Sequence, residues 1–201
     1  MHSTWLMATV ARGLRVLGAR VVGPVALLAL ASGVTTPAQA DVLASGAGGF
    51  VLKIETSVAA DPNEVFRRVL QIGSWWNSEH TYSGSAANMK LENQPGGCFC
   101  ERLAAGGFVR HGTVEFSSYG KTLRIAGALG PLQERGAYGL LAMSFQKAGS
   151  GTKLVVTYTV SGFAPGKGYE ELAAPVNGVL SEQFARLKRY VETGRAAGAE
   201  G

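Results

Sequence analysis

The sequence has few of the residues that bind metals or build disulfide frameworks. It contains two cysteines, Cys98 and Cys100, and three histidines, one of which is His2 near the N-terminus. Two cysteines separated by one residue do not make a disulfide framework, and in an extended strand their Cα atoms are at or beyond the separation of a normal disulfide. Small buried thiols are therefore the default interpretation. With only His80 and His111 left as imidazole ligands, we expect no metal site and no cofactor.

The sequence also lacks a basic surface and the glycine motifs of common enzymes. Its 19 lysines and arginines against 14 acidic residues give a net charge of +5, but Arg12, Arg15 and Arg20 lie in a leader that has no acidic residue. Beyond that leader, 16 basic residues face 14 acidic ones. A net charge near zero does not indicate binding to nucleic acid. We also find no phosphate-binding glycine loop before a helix and no nucleophile elbow.

Residues 1–40 have the pattern of a secretory signal peptide. An apolar run over residues 21–31 follows the three arginines and is too short to span a bilayer comfortably. Ala38-Gln39-Ala40 then ends just before Asp41, as a cleavage site would. The alternative is an uncleaved anchor. We expect an exported protein, periplasmic or extracellular after cleavage near Ala40, that meets the membrane only through this leader.

The rest of the chain predicts one folded domain with loose ends. We expect a flexible segment at 41–49, the domain at 50–193 and a disordered tail at 194–201. Alternating apolar and polar residues predict a strand at 50–58, and Asp61-Pro62 predicts the start of a short helix. Residues 89–162 read as six further strands broken by glycine and proline.

The last element is predicted to be a long helix from Glu170 to about Glu192, because apolar residues recur there at intervals of three and four. The fold class is therefore α+β. Its short connections favour a curved antiparallel sheet of about seven strands wrapped round the C-terminal helix, with a cavity between them.

Two of the predicted strands place a carboxylate opposite an imidazole. In a hairpin that turns at residues 104–108, residues whose numbers sum to 212 face each other, which pairs Glu101 with His111 and Arg102 with Arg110. Two facing arginines are tolerated only on a face that is exposed to water. The opposite face, which carries Glu101 and His111, is therefore expected to point inward. A register slip or a β-bulge would change this pairing.

Glu101 and His111 are the candidates for catalysis, since a carboxylate can orient an imidazole that acts as general acid or base. The same pair could instead form the polar end of a ligand pocket. A cross-strand ion pair at the wet rim of the sheet is the third interpretation.

Further ligand-binding candidates lie in the aromatic-rich loop after the first helix. His80 and Tyr82 lie in this loop, and loops of this sort often carry function. Of the adjacent rings, we expect Trp75 to pack in the core and Trp76 to line the cavity, although core packing alone would also explain both. The predicted ligand-binding set is His80, Tyr82, Trp76, Glu101 and His111.

This order of elements resembles the helix-grip, or START-like, superfamily (the SRPBCC group). The residues that carry the resemblance, close to a polyketide cyclase/dehydrase-like and Aha-type activator-like bacterial branch, are Trp75 and Trp76 and the segments 79–84, 96–101, 127–132 and 178–187. The superfamily includes lipid binders, cyclases, hydrolases and chaperone activators, so the resemblance implies the fold more than the function. The predicted leader argues against a chaperone activator, whose partner is cytosolic.

The resemblance implies an exported domain, a monomer or weak dimer, that binds a small hydrophobic or amphipathic ligand between sheet and helix. The alternative is an enzyme resembling polyketide cyclases, in which His111, oriented by Glu101, moves a proton on a bound ring or enone. A second alternative is an interaction module that presents residues 75–82 to a partner in the cell envelope.

Overall fold

The computed structural model describes residues 39–163 and 168–196, and within them eight strands and two helices. The predicted leader up to residue 38 and residues 197–201 of the predicted tail lie outside the described residues. The strands are β1 (Gln39–Gly46), β2 (Gly49–Val58), β3 (Met89–Leu91), β4 (Cys98–Arg102), β5 (Phe108–Ser118), β6 (Thr122–Ala126), β7 (Tyr138–Ala148) and β8 (Gly151–Ser161). The helices are α1 (Pro62–Leu70) and α2 (Glu170–Thr193).

All eight strands belong to one antiparallel sheet in the order β1-β2-β8-β7-β6-β5-β4-β3. From β3 to β8 the chain makes a meander of neighbouring strands, and β8 then pairs with β2. The sheet is curved and open, and α2 packs against β1, β2 and α1. The predicted α+β helix-grip fold is therefore confirmed, with eight strands where about seven were expected.

The eighth strand is β1, in a segment for which the sequence predicted flexibility at 41–49. Val42 and Leu43 on this strand are exposed, so it shows no alternation of buried and exposed side chains. Its order comes from the backbone, which pairs with β2 from Gln39 opposite Glu55 to Gly46 opposite Gly49. Strand prediction from side-chain pattern fails here because most side chains of β1 are exposed, while its backbone hydrogen bonds to β2 and its packing against α2 hold the strand in place.

The helix α1 begins as its sequence predicted. The Asp61 side chain accepts a hydrogen bond from the Asn63 backbone N–H at 3.0 Å, and Pro62 occupies the first helical position. The helix buries Val65, Phe66 and Val69 against the core.

The apolar stripe of α2 is buried to different extents in the two halves of the helix. Phe184 and Leu187 in its second half are fully buried in the core, whereas Leu172 and Val176 near its start are half-buried. The helix ends at Gly194, whose left-handed conformation (φ 75°) lets its N–H bond to the Tyr190 carbonyl. Within the described part of the chain, neither helix is long and apolar enough to cross a membrane.

Tyr158 of β8 supports the segment that follows β6. Its buried hydroxyl donates to the Gly127 carbonyl at 3.1 Å and accepts from the Leu129 backbone N–H at 2.9 Å. Burial raises the pKa of Tyr158, so the hydroxyl keeps its proton at any physiological pH. The segment from Gly127 to Leu129 is thereby held against the sheet by one side chain.

We predict that Tyr158→Phe lowers the free energy of unfolding by about 1–3 kcal/mol, because it removes the two hydrogen bonds that the hydroxyl makes with the part-buried Leu129 N–H and Gly127 carbonyl. Urea unfolding followed by circular dichroism measures the loss. Tyr138→Phe is the matched control, since that ring is 59% exposed. Equal stability of the wild-type protein and Tyr158→Phe would contradict a supporting role for this hydroxyl.

Candidate functional site

A β-bulge at His111 sets the geometry of the candidate site. The pairing of β4 with β5 runs from Cys98 opposite Thr113 to Phe99 opposite Gly112, and then shifts so that Cys100 faces Arg110. His111 is the extra residue of this bulge and faces no residue of β4. The predicted register, with numbers summing to 212, is therefore wrong, and the bulge that the sequence left open is present.

Two glycines accommodate the bulge. A Cβ atom at Gly112 would lie 2.6 Å from the Ile125 side chain and 2.8 Å from the Ala126 carbonyl oxygen. A Cβ at Gly127 would overlap the backbone of His111 and Gly112. Glycine is thus required on both sides of this close approach between β5 and the segment after β6.

Glu101 and His111 nevertheless contact each other. Glu101 faces Val109 rather than His111, but the His111 Nε2 lies 3.0 Å from the Glu101 Oε2, a diagonal contact on the inner face. Glu101 is fully buried and His111 is 4% exposed. Arg102 and Arg110 do not face each other, yet both are exposed, as the orientation argument expected.

The Glu101 carboxylate also fastens the loop that follows α1. It accepts hydrogen bonds from the Ser83 backbone N–H and from His111, and the Ser83 hydroxyl and the Tyr82 backbone N–H also favour its ionised form. Burial opposes ionisation of the carboxyl, but these donors together outweigh it and hold the pKa of Glu101 below its ordinary value. Glu101 is therefore ionised at neutral pH and only accepts hydrogen bonds.

His111 is neutral in the same environment. Burial lowers its pKa, and the hydrogen bond and charge of Glu101, which raise it, do not compensate. Because the carboxylate can only accept, the proton of the ring lies on Nε2. Nδ1 is then an unprotonated acceptor, and it has no hydrogen-bond partner in residues 39–163 and 168–196.

The two cysteines flank Phe99 on β4 and form a disulfide, which corrects the expectation of buried free thiols. That expectation assumed an extended strand, in which the Cα atoms of alternate residues are about 6.6 Å apart. Their Cα atoms are 5.3 Å apart, which is closer than in a fully extended strand and a normal separation for a disulfide.

A cavity of about 430 Å³ lies beside this pair. Its walls are the first half of α2, the loop at residues 76–82 and the turn at residues 129–131, with Glu134 at its edge. Of the sheet strands, only β5 contributes a lining residue, and that residue is His111. The cavity therefore lies at one end of the helix-grip fold rather than along the whole face between sheet and helix.

Four of the five predicted ligand-binding residues line this cavity: Trp76, His80, Tyr82 and His111. Glu101 does not line it but lies behind His111. Trp75 packs in the core instead and donates its Nε1–H to the Arg68 carbonyl at 3.1 Å.

The rings at the cavity form a connected series. Trp76 donates its Nε1–H to the His80 carbonyl at 3.0 Å and meets Phe99 edge-on at 5.9 Å between ring centroids. Phe99 lies 5.0 Å from the His111 ring, which lies 6.0 Å from the Tyr82 ring. Burial raises the pKa of the Tyr82 hydroxyl, and the negative charges of Glu134 and Glu101 add to that effect.

Sequence reasoning missed two carboxylates of this site. Glu182 of α2 lies 3.1 Å from the His80 Nε2, and Glu134 reaches the cavity edge from the segment before β7. Nothing local predicts either position, because both depend on how distant elements pack. The bulge, which the sequence left open, did have a signal, since Gly112 interrupts a predicted strand.

Within the described residues, no group of three or more His, Cys, Asp or Glu side chains is arranged to hold a metal ion. The chemistry available to the cavity is that of an imidazole acceptor, a phenol, carboxylates and an apolar wall.

Comparison with known proteins places this geometry in a family. Residues 51–192 match the model of the family described as polyketide cyclase / dehydrase and lipid transport. No curated protein sequence matches the chain.

Solved structures of several bacterial proteins have the same fold. CalU16 from Micromonospora echinospora is 17% identical over 85% of this chain and 81% of its own, with a TM-score of 0.53. An uncharacterised protein from Rhizobium leguminosarum is 20% identical over 78% of this chain and 98% of its own, also at 0.53. A conserved protein of unknown function from Enterococcus faecalis is 14% identical over 82% of each chain, at 0.54. At such identities the likeness shows the fold alone.

We predict that His111 titrates below the ordinary histidine pKa of about 6.5 and that Glu101→Gln lowers its pKa further. The sign follows because Glu101 opposes the effect of burial. Long-range ¹H–¹⁵N NMR measures the pKa and shows whether the neutral ring carries its proton on Nε2. A folded-state pKa below the unfolded one also predicts that this histidine's contribution to stability is lost as the pH falls below about 6.5.

Glu115→Gln is the control for this titration, because Glu115 is exposed on β5 and does not line the cavity. That variant is expected to leave the pKa of His111 unchanged. A His111 pKa above the ordinary value, or a proton on Nδ1, would contradict the assignment.

Proposed function

The chain belongs to the polyketide cyclase / dehydrase and lipid transport family, a family of the SRPBCC type, and from this membership we propose that it binds a small hydrophobic or amphipathic ligand. The resemblance drawn from the sequence is thereby confirmed at the level of the family. The ligand would occupy the cavity beside α2, with its apolar part along the helix and its polar part at His111.

The observation that carries this proposal is the contrast between the walls of the cavity and its inner end. Leu172, Val176 and Val179 of α2 give it an apolar wall, while the unpartnered Nδ1 of the His111 ring offers one acceptor. A volume of about 430 Å³ with few polar groups is typical of a small-molecule site. Glu101 would act as a positioning residue, because it holds the tautomer of His111 without reaching the ligand.

An enzyme resembling polyketide cyclases is the second candidate, and the protonation of the pair favours it. An ionised carboxylate that fixes a neutral imidazole is the arrangement of a general base, with Nδ1 as the atom that would take a proton from a bound ring or enone. In that reaction His111 would touch the substrate and Glu101 would stabilise the imidazolium that forms.

The interaction module is not favoured. It requires an exposed aromatic patch at residues 75–82, but Trp75 is fully buried and Trp76 is 7% exposed. Of the rings in that segment, Tyr82 is the exposed one, and it lines the cavity.

We predict that the protein, purified without added ligand, carries one small molecule per chain in native mass spectrometry. Val179→Trp fills the cavity and is expected to remove that molecule, because the new ring occupies the apolar wall. Ala174→Trp is the matched control, since Ala174 is exposed on the same helix and outside the cavity. A bound molecule that persists unchanged in Val179→Trp would contradict binding at this site.

The co-purified molecule distinguishes the carrier from the enzyme when it is added back to ligand-free protein. A carrier releases it unchanged, whereas an enzyme converts it. If the protein is an enzyme, His111→Ala should abolish the conversion while binding largely survives. Equal loss of conversion and binding would contradict the enzyme proposal.

Export remains part of the proposal, and it is supported by the residue pattern of the leader. We predict that the protein expressed with its leader in a bacterium is recovered outside the cytoplasm with Asp41 as its first residue, as determined by N-terminal sequencing. Substituting Ala38 and Ala40 with bulky residues should block the cleavage because the recognition site needs small side chains. An intact N-terminus on the wild-type protein would contradict processing.

A further inference from the structure

The charges around the cavity are all of one sign. Among its described lining residues, the fully charged side chains are Glu79 and Glu134, and no lysine or arginine contributes to the wall. His80 also lines it, with its Nε2 3.1 Å from a carboxylate oxygen of Glu182. Within residues 39–163 and 168–196, the cavity lining therefore offers no lysine or arginine to a carboxylate or phosphate ligand.

Glu79 and Glu134 differ from most carboxylates of the domain because no ion pair neutralises them within residues 39–163 and 168–196. Glu64 and Glu92, for example, lie 2.6 Å and 2.7 Å from arginine and lysine nitrogens. Two unpaired carboxylates at the mouth of an apolar cavity favour a ligand that brings a positive charge.

The inner end of the cavity has the same preference. His111 is 4% exposed, and its free Nδ1 accepts hydrogen bonds but donates none. The ionised Glu101 lies directly behind that ring, at 3.0 Å from Nε2. A carboxylate ligand placed here would meet an acceptor and a like charge, whereas an ammonium group would meet an acceptor and an opposite charge.

Aromatic faces add to this selectivity. Trp76 and Tyr82 both line the cavity, and the Tyr82 ring lies 6.0 Å from the His111 ring. The faces of such rings attract ammonium groups, most strongly where water is excluded. Tyr82 thus connects the two ends, because its ring lies beside His111 and the charge of Glu134 acts on its hydroxyl.

We propose that the ligand is a cationic amphiphile, with a protonated amine or quaternary ammonium head among Tyr82, His111 and Glu134 and an apolar body along the first half of α2. This inference rests on the proposed function and specifies its ligand class. It does not follow from the net charge of the chain beyond the predicted leader, where 16 basic residues against 14 acidic ones give a balance near zero. The preference is therefore a local property of the cavity.

Isothermal titration calorimetry with probes of equal tail length tests the proposal. Decylammonium, decyltrimethylammonium and decanoate are each titrated into the full-length protein, below the concentration at which they form micelles. We expect both ammonium probes to bind at least about tenfold more tightly than decanoate at low ionic strength. The ratio should fall as salt is added, because charges at the cavity mouth are screened.

The double variant Glu79→Gln/Glu134→Gln should reduce that ratio by at least about threefold, whereas Glu115→Gln should leave it unchanged. Glu115 provides a matched loss of one exposed carboxylate outside the cavity. An unchanged ratio in the double variant would overturn the assignment to these two residues.

The result also distinguishes this inference from the function on which it rests. Decanoate binding as tight as that of decylammonium, but abolished by Val179→Trp, would overturn the charge preference and leave the ligand-binding cavity in place. No binding of any probe, or binding that Val179→Trp does not affect, would overturn both.

Discussion

The bulge at His111 is the constraint on which the candidate site depends. It adds one residue to β5, His111, whose ring contacts the buried carboxylate of Glu101 on β4. The bulge is possible because Gly112 and Gly127 leave room for the two backbones to approach each other. The residue directly opposite Glu101 is Val109, whose side chain has no hydrogen bond to offer. The bulge adds His111 on the inner face, where its ring contacts the buried carboxylate and lines the cavity.

The buried carboxylate links the loop after α1 to the inner face of the sheet. One of its oxygens accepts from the Ser83 N–H, and the Tyr82 N–H also favours its ionised form. The position of Tyr82 and the tautomer of His111 consequently depend on the same negative charge. Loop position, ring orientation and cavity shape are therefore coupled through a single side chain.

The sequence predicted most of the fold because its signals are local. Alternation along β2, the Asp61-Pro62 start of α1 and the spacing of Phe184 and Leu187 on α2 each act within a few residues. The edge strand β1 was not predicted because its side chains are exposed and do not alternate with buried ones, although its backbone pairs with β2.

The candidate site was only partly predictable for a different reason. The contact between Glu101 and His111 was anticipated, but from a register that the bulge replaces. Glu134 and Glu182 reach the site through the packing of distant elements, which no local pattern encodes. Gly112 was the direct indication of the bulge in the sequence, because a glycine weakens a strand and often marks a bulge or a close approach of another backbone.

The division of α2 into a cavity half and a core half bears on how such a protein can evolve. Its second half, with Phe184 and Leu187, anchors the domain, while Leu172 and Val176 in its first half meet whatever fills the cavity. Substitutions in the first turns can therefore change the molecules that fit while the anchor stays intact. Under the proposed function, one helix would let ligand preference diverge between descendants at little cost to folding.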